Sequence, residues 1–242
     1  MSSGCLSKRT PRLLVLALLT LVTVAPAIAQ AAGPFPSNAT GFDISFPQCG
    51  SNLQQTGSFG IIGVTGGKAF TQNPCFAGEY DYAATTTGLV SIYMNLNAPV
   101  GRTARGNTAG PVACASNDQT CQAHNYGWNA AVGAFALAGP RKASAWWLDI
   151  EIANSWAGKT AINVATIDGA RDYLLAAGVA NVGIYSVPSM WNQITGNWQD
   201  STLPVWYAGT ATTTCAQAVS FTSGPIWLVQ NASAASNGDR SC

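Results

Sequence analysis

Charge is scarce in this 242-residue chain: 9% of its residues are Asp, Glu, Lys or Arg, and the only glutamates are Glu79 and Glu151. Histidine occurs once, as His124, and no Cys-x-x-Cys pair is present. A structural zinc site built from Cys and His is thereby excluded, and we expect neither metal nor other cofactor. A G-x-S-x-G nucleophile elbow is also missing. His124 follows a cysteine-pinned loop at the start of a helix, and reads as structural or solvated rather than as a catalytic base. Thr65-Gly66-Gly67-Lys68 follows a strand but lacks the spacing of a phosphate loop. No basic face is available for nucleic acid. In so sparse a chain, each carboxylate inside an apolar run is informative.

The longest apolar run, Leu13 to Val24, falls short of the ~20 residues that span a bilayer. It follows Lys8, Arg9 and Arg12, and precedes the small-residue sites Ala27-Ile28-Ala29 and Ala29-Gln30-Ala31. This is the three-part pattern of a secretory signal peptide. The expected organisation is a signal peptide over 1–31, a flexible leader over 32–40 and a single domain over 41–242. Removing the signal leaves eight basic against ten acidic residues, a net charge of −2. The mature protein is expected to be secreted, monomeric and without stable membrane insertion. Cys5 leaves with the signal, and six cysteines remain, an even number that reads as three disulfides in an exported protein. Order along the chain favours Cys49–Cys75, Cys114–Cys121 and Cys215–Cys242, each closing a local loop.

Strand-like segments recur at 41–45, 59–64, 89–95, 145–152, 182–186, 204–208 and 225–230. Helical patterns occupy 126–138, 161–177 and 188–194, the second ended by Gly178 and the third opened by Pro188. A polar, glycine-rich stretch from Pro99 to Gln122 is long for a connection and suggests a functional or capping loop. Continuously apolar strands are buried on both faces, as in parallel sheets. A doubly wound open sheet fits this pattern. A closed TIM-like (β/α) barrel fits it better: α/β in class, irregular, with fewer than eight helices, disulfide-stabilised, its first and last strands side by side.

Trp146-Trp147-Leu148-Asp149-Ile150-Glu151-Ile152 carries the most chemistry. Residues two apart on a strand share a face, so Asp149 and Glu151 project together, with Cα atoms about 6.6 Å apart. Leu148 and Ile150 point the other way, beneath the helices. Active sites of α/β barrels lie at the C-terminal ends of the strands. Like charges at that range push one pKa up, giving one carboxylic acid and one carboxylate, the division that glycoside hydrolysis needs. A solvated pair of acids in a surface turn is the competing reading, disfavoured by the flanking tryptophans. Asp43 interrupts the first strand and can face the same cavity, or can instead cap a local turn. Tyr93, Trp146, Trp147, Tyr185, Trp206, Tyr207 and Trp227 lie near strand ends, where aromatic rings stack on sugars or pack a core. Of these, Tyr93, Trp147, Tyr185, Trp206 and Trp227 are candidate substrate contacts. Asn95 and Gln230 are candidate polar contacts, Gln230 alternatively an internal brace.

These segments resemble the lysozyme-like barrel of glycoside hydrolase family 25. Gly41-Phe42-Asp43-Ile44-Ser45 is similar to its opening strand, Leu148-Asp149-Ile150-Glu151 to its central D-x-E strand and Gly183-Ile184-Tyr185-Ser186 to its G-x-Y strand. Trp227-Leu228-Val229-Gln230 is similar to its terminal W-Q strand, with two residues inserted. The segments Gly41-Phe42-Asp43…Pro47-Gln48-Cys49 and Trp146-Trp147-Leu148-Asp149-Ile150-Glu151 bring the chain closer still to exported glycoside-hydrolase-like domains of uncharacterised function in actinobacteria. The resemblance runs in order from residue 41 to about 230. It implies Glu151 as general acid/base, with Asp149 and Asp43 positioning and stabilising. It implies the glycan of the bacterial cell wall as substrate, cut between N-acetylmuramic acid and N-acetylglucosamine. Asp149 would either attack directly or orient the substrate's own acetamido group.

The expected function is hydrolysis of an amino-sugar glycan such as peptidoglycan by carboxylate acid/base catalysis. The alternative is a carbohydrate-binding or wall-associated barrel that does not turn over. Retention of all three carboxylates leans toward catalysis.

Overall fold

In the computed structural model, Met1 and residues 33–100, 107–233 and 236–242 are described. The signal-peptide segment lies outside them. Seven apolar stretches become parallel strands: β1 (Thr40–Ile44), β2 (Gly60–Gly63), β3 (Val90–Asn95), β4 (Trp146–Asp149), β5 (Val182–Ser186), β6 (Val205–Thr210) and β7 (Ile226–Ser233). Each pairs with the next in sequence order. An eighth strand, β8 (Ser236–Ser241), runs antiparallel to both β7 and β1 and closes the barrel. The first strand therefore adjoins an eighth strand, not the seventh. Ser-Asn-Gly-Asp-Arg-Ser carries no apolar alternation, so nothing in its composition marks a strand.

Among the described residues, four α-helices lie between strands: α1 (Phe76–Thr87), α2 (Gln119–Ala138), α3 (Thr160–Ala176) and α4 (Pro188–Thr195). α1 escaped the sequence reading. Its last three residues are threonine, a poor helix former, and Thr85, Thr86 and Thr87 return their hydroxyls to the carbonyls of Asp81, Tyr82 and Ala83. α2 starts seven residues before the expected Tyr126. Asp118 caps it by accepting from the backbone N–H of Cys121 at 3.0 Å, and the Cys114–Cys121 bridge ties the preceding loop to that first turn. Cys49–Cys75 and Cys215–Cys242 are the other two disulfides.

Alternation along the strands produces two cores. Leu148, Ile150, Ile92, Met94 and Ile184 face outward under the helices. Phe59, Ile61, Trp147, Trp206 and Leu228 fill the barrel itself. Trp147 pairs in register with Gly183, where an added Cβ would stand 2.4 Å from the indole. The small residue makes room for the large one across the strand. Below this layer, residues 33–40 do not trail free as a leader. Phe35 packs on Phe59 with ring centroids 4.9 Å apart, and Ala39 exchanges hydrogen bonds with Ser241. The segment floors the barrel and leaves the opposite end open.

Outside, α2 and α3 touch backbone to backbone. A Cβ on Gly127 would lie 1.8 Å from the Thr166 carbonyl oxygen, and one on Gly169 would lie 1.9 Å from that of His124. Neither neighbour can swing aside, so a methyl group must separate the helices. Gly127→Ala and Gly169→Ala should each destabilise the fold by about 1–3 kcal/mol. Urea unfolding checks this, and an unchanged midpoint would show that the crossing has slack.

Candidate active site

The strand register assembles a polar layer above the apolar plug. Asn95, Asp149, Tyr185 and Trp206 are successive cross-strand partners on β3 to β6. Gln230 on β7 pairs with Asp239 on β8. With Asp43 on β1 they ring the C-terminal end of the barrel. A cavity of about 160 Å³ opens there, lined by Asp43, Asp149, Glu151, Tyr93, Tyr185 and Gln230 together with Trp206 and the β1–β2 turn residues Ser45, Pro47 and Gln48.

Asp149 is the last residue of β4, and Glu151 lies two positions further, outside the strand. Asp149 is 5% exposed. The Asn95 amide donates to Asp149 Oδ2. Thr65 fixes that amide in turn, its hydroxyl donating to Asn95 Oδ1 at 2.7 Å and accepting from the Asn95 N–H at 3.0 Å. Asn95 thus braces Asp149 from behind and does not line the cavity. Asp149 Oδ1 is buried with no donor among the described residues; it belongs to the carboxyl in contact with Glu151. Burial first, and the charge of Glu151 second, hold the Asp149 carboxyl well above its ordinary range. Burial also raises Glu151, against the opposing bond from Asp149. The two side chains therefore share a proton at pH values where free carboxyls have lost theirs.

Asp43 receives a hydrogen bond from Gln230 Nε2 at 2.9 Å, and Gln230 Oε1 accepts from the Tyr185 hydroxyl at 2.8 Å. The Gln230 amide thereby serves as brace and cavity wall at once. Tyr93 and Tyr185 are kept as neutral phenols, first by burial and then by the surrounding carboxylates. Trp206 is 2% exposed and packs at 4.5 Å from the Tyr185 ring.

Asp239, which the sequence reading missed, is a fourth carboxyl in this layer. Its Oδ1 accepts from the Trp206 indole N–H at 2.8 Å. Its Oδ2 is buried without a donor among the described residues. Burial, then the charge of Asp43, raise it well above the usual range, with the Trp206 bond opposing. A proton on Oδ2 lets Asp239 donate to Asp43 and leaves Asp43 free to carry the charge. No strand is expected from the sequence beyond residue 230; only the closing strand β8 reveals that Asp239 faces inward.

Two candidates lie elsewhere. Trp147 shares the inward face of Asp149 but sits one layer lower, fully buried in the plug. Trp227, at the start of β7, packs edge-on against Trp147 and covers Gly33 at the floor. Neither lines the cavity. His124 pairs with Asp172 at 2.9 Å on the outer helices. Among the described residues, no group of His, Cys, Asp and Glu is arranged to hold a metal ion.

Raised carboxyls make stability pH-dependent with a definite sign. The folded state keeps a proton on Asp239 that the unfolded chain loses near pH 4. This contribution is complete below that pH and disappears as pH rises through the folded-state value. Asp239→Asn mimics the protonated form, accepting from Trp206 and donating to Asp43. It should raise the melting temperature at pH 8 by several degrees, at roughly 2–4 °C per kcal/mol for a chain of this size. At pH 4.5 it should change little. Thermal scans at the two pH values check this, and an equal loss at both would contradict a protonated Asp239.

Residues 137–223 match the family described as lysozyme-like protein 1. A probable GH family 25 lysozyme of Dictyostelium discoideum is 41% identical over 64 residues, which are 26% of this chain and 30% of that protein. The chain thus spans under a third of the length of the curated relative that it matches. The family GH25 lysozyme from Aspergillus fumigatus superimposes with a TM-score of 0.50 at 17% identity, covering 85% of this chain and 94% of the other. The modular autolysin LytC from Streptococcus pneumoniae, also solved with a synthetic peptidoglycan ligand, gives a TM-score of 0.56 at 14% identity, covering 86% and 49%. At these identities the likeness is one of fold: the chain has the irregular, closed α/β barrel seen in the family 25 lysozyme.

Proposed function

We propose that this protein hydrolyses the glycan of a cell wall of the peptidoglycan type. The observation that carries the reading is the convergence of Asp43, Asp149 and Glu151 on one cleft walled by Tyr93, Tyr185 and Trp206. The likeness to proteins named as lysozymes and to an autolysin supports the choice of substrate class. The signal-like N-terminus and three disulfides support export to the medium or the wall.

Glu151 is the proton donor in this reading. It is the most accessible of the three acids and shares its proton with Asp149, which is braced and buried. A glycosidic oxygen entering the cleft takes that proton as the bond to the anomeric carbon breaks. Positive charge develops on the sugar ring, and the carboxylates of Asp43 and Asp149 stabilise it; a water molecule then bonds to the anomeric carbon and gives its proton to the Glu151 carboxylate, which restores the acid. Tyr185 and Gln230 hold Asp43 to that task. Tyr93 and Tyr185, half-buried in the cleft wall, offer aromatic surface to sugar C–H groups.

Glu151→Gln should reduce release of reducing ends from peptidoglycan by about 10²–10⁴-fold while leaving glycan affinity largely intact. Absence of release by the wild type, with binding retained, would instead make the protein a carbohydrate-binding barrel. The pH–rate profile has a predicted sign. The shared proton is essential and its pKa is raised, so activity should peak at mildly acidic pH and fall as the pair ionises. An optimum above about pH 8 would rule out Glu151 as the acid.

A further inference from the structure

The carboxylate cavity, at about 160 Å³, is smaller than the roughly 300–1,000 Å³ of pockets that enclose small ligands. It accommodates the reacting portion of a glycan and leaves the rest of the strand to find room elsewhere. A second and larger cavity, about 390 Å³, is formed between the segment following β4 and the helices α3 and α4. It begins at Ile152, the residue directly after Glu151, and its lining carries no charged side chain.

Its walls have the character of a binding site. The Trp156 indole N–H donates to the Glu151 carbonyl at 2.8 Å, so its remaining offer to the cavity is ring surface. Ile152 is 49% exposed there. Asn163 is buried and fully used, donating to the carbonyls of Ala157 and Ile194 and accepting from the Ala157 N–H. It builds the wall and offers nothing to a ligand. Asn154, Thr160 and Gln193 line the same cavity with side-chain hydrogen-bonding groups that no described residue occupies. An aromatic face, an apolar side chain and neutral donors and acceptors suit an uncharged, acetamido-bearing sugar. They do not suit the carboxylates of a wall peptide, which would call for Lys or Arg.

We propose that this pocket is a second saccharide-binding site, taking a neutral N-acetylated hexose of the same strand, beyond the sugars at Glu151. The inference rests on the glycan-hydrolase reading. It makes Trp156 a link between the two sites, since the indole that meets the distant sugar also holds the backbone of the proton donor.

Gly158 allows a test without disturbing the fold. It lines the pocket, and a Cβ on it meets no atom within 4 Å. Gly158→Phe should fill the pocket, whereas Gly158→Ala should not. Binding of peptide-free glycan strands of two to eight sugars is measured by calorimetry on the full chain in the Glu151→Gln background. Affinity should climb at least tenfold with strand length. Gly158→Phe should abolish that gain and leave disaccharide affinity unchanged, and Gly158→Ala should retain it. A length dependence that survives Gly158→Phe overturns the second site and leaves the proposed activity standing. Failure of every strand to bind the Glu151→Gln protein overturns both.

Discussion

Contacts between carboxyl groups in a space poor in water govern this molecule. Asp149 meets Glu151, and Asp239 meets Asp43, each contact tolerable only with a proton between the partners. Such contacts oppose folding at neutral pH, and the rest of the architecture holds them in place. Closed-barrel register aligns the polar layer, the tryptophan plug beneath it excludes solvent from below, and the Thr65–Asn95 and Tyr185–Gln230 braces prevent the acids from turning away. The arrangement stores electrostatic free energy in the cleft, a pattern common to sites that tune carboxyl pKa values.

The layers also explain how so few charged residues suffice. With only two glutamates in the chain, one lines the cleft and the other, Glu79, is a buried residue of α1 bonded to Asn73. The outer surface relies on neutral polar groups. Arg171 on α3 pairs with Asp200 in the loop after α4, and Arg141 in the loop after α2 pairs with Asp81 on α1, both outside the barrel. Among the described residues no basic side chain lines the cleft, and burial raises its carboxyls toward their protonated forms.

Much of this was legible in the primary structure. Two acids at even spacing inside an apolar tryptophan-flanked run announced an inward pair, and local cysteine order announced the disulfides. Parity, however, gives the face of a strand and not the depth along the barrel axis. Trp147 and Asp149 have the same parity, yet one plugs the core and the other lines the cleft. Asp239 was illegible for a different reason. Its strand is polar and is recruited by backbone pairing to β1 and β7, an interaction that side-chain pattern does not encode. Thr-rich α1 was likewise formed by its position between two barrel strands rather than by intrinsic propensity.

The antiparallel strand that closes the barrel is also the last of the eight to be synthesised. Its partner β1 is the first, and the hydrogen bond joining Ala39 to Ser241 bridges 202 positions. Ring closure is thus a late, entropically costly event, and Asp239 enters the acidic layer only with it. A growing polypeptide carries Asp43, Asp149 and Glu151 well before it can finish the enclosure that gives them their unusual proton affinity. The acidic layer and the closed barrel are thus completed together, and the Cys215–Cys242 bridge fastens the residue after β8 to the loop between β6 and β7.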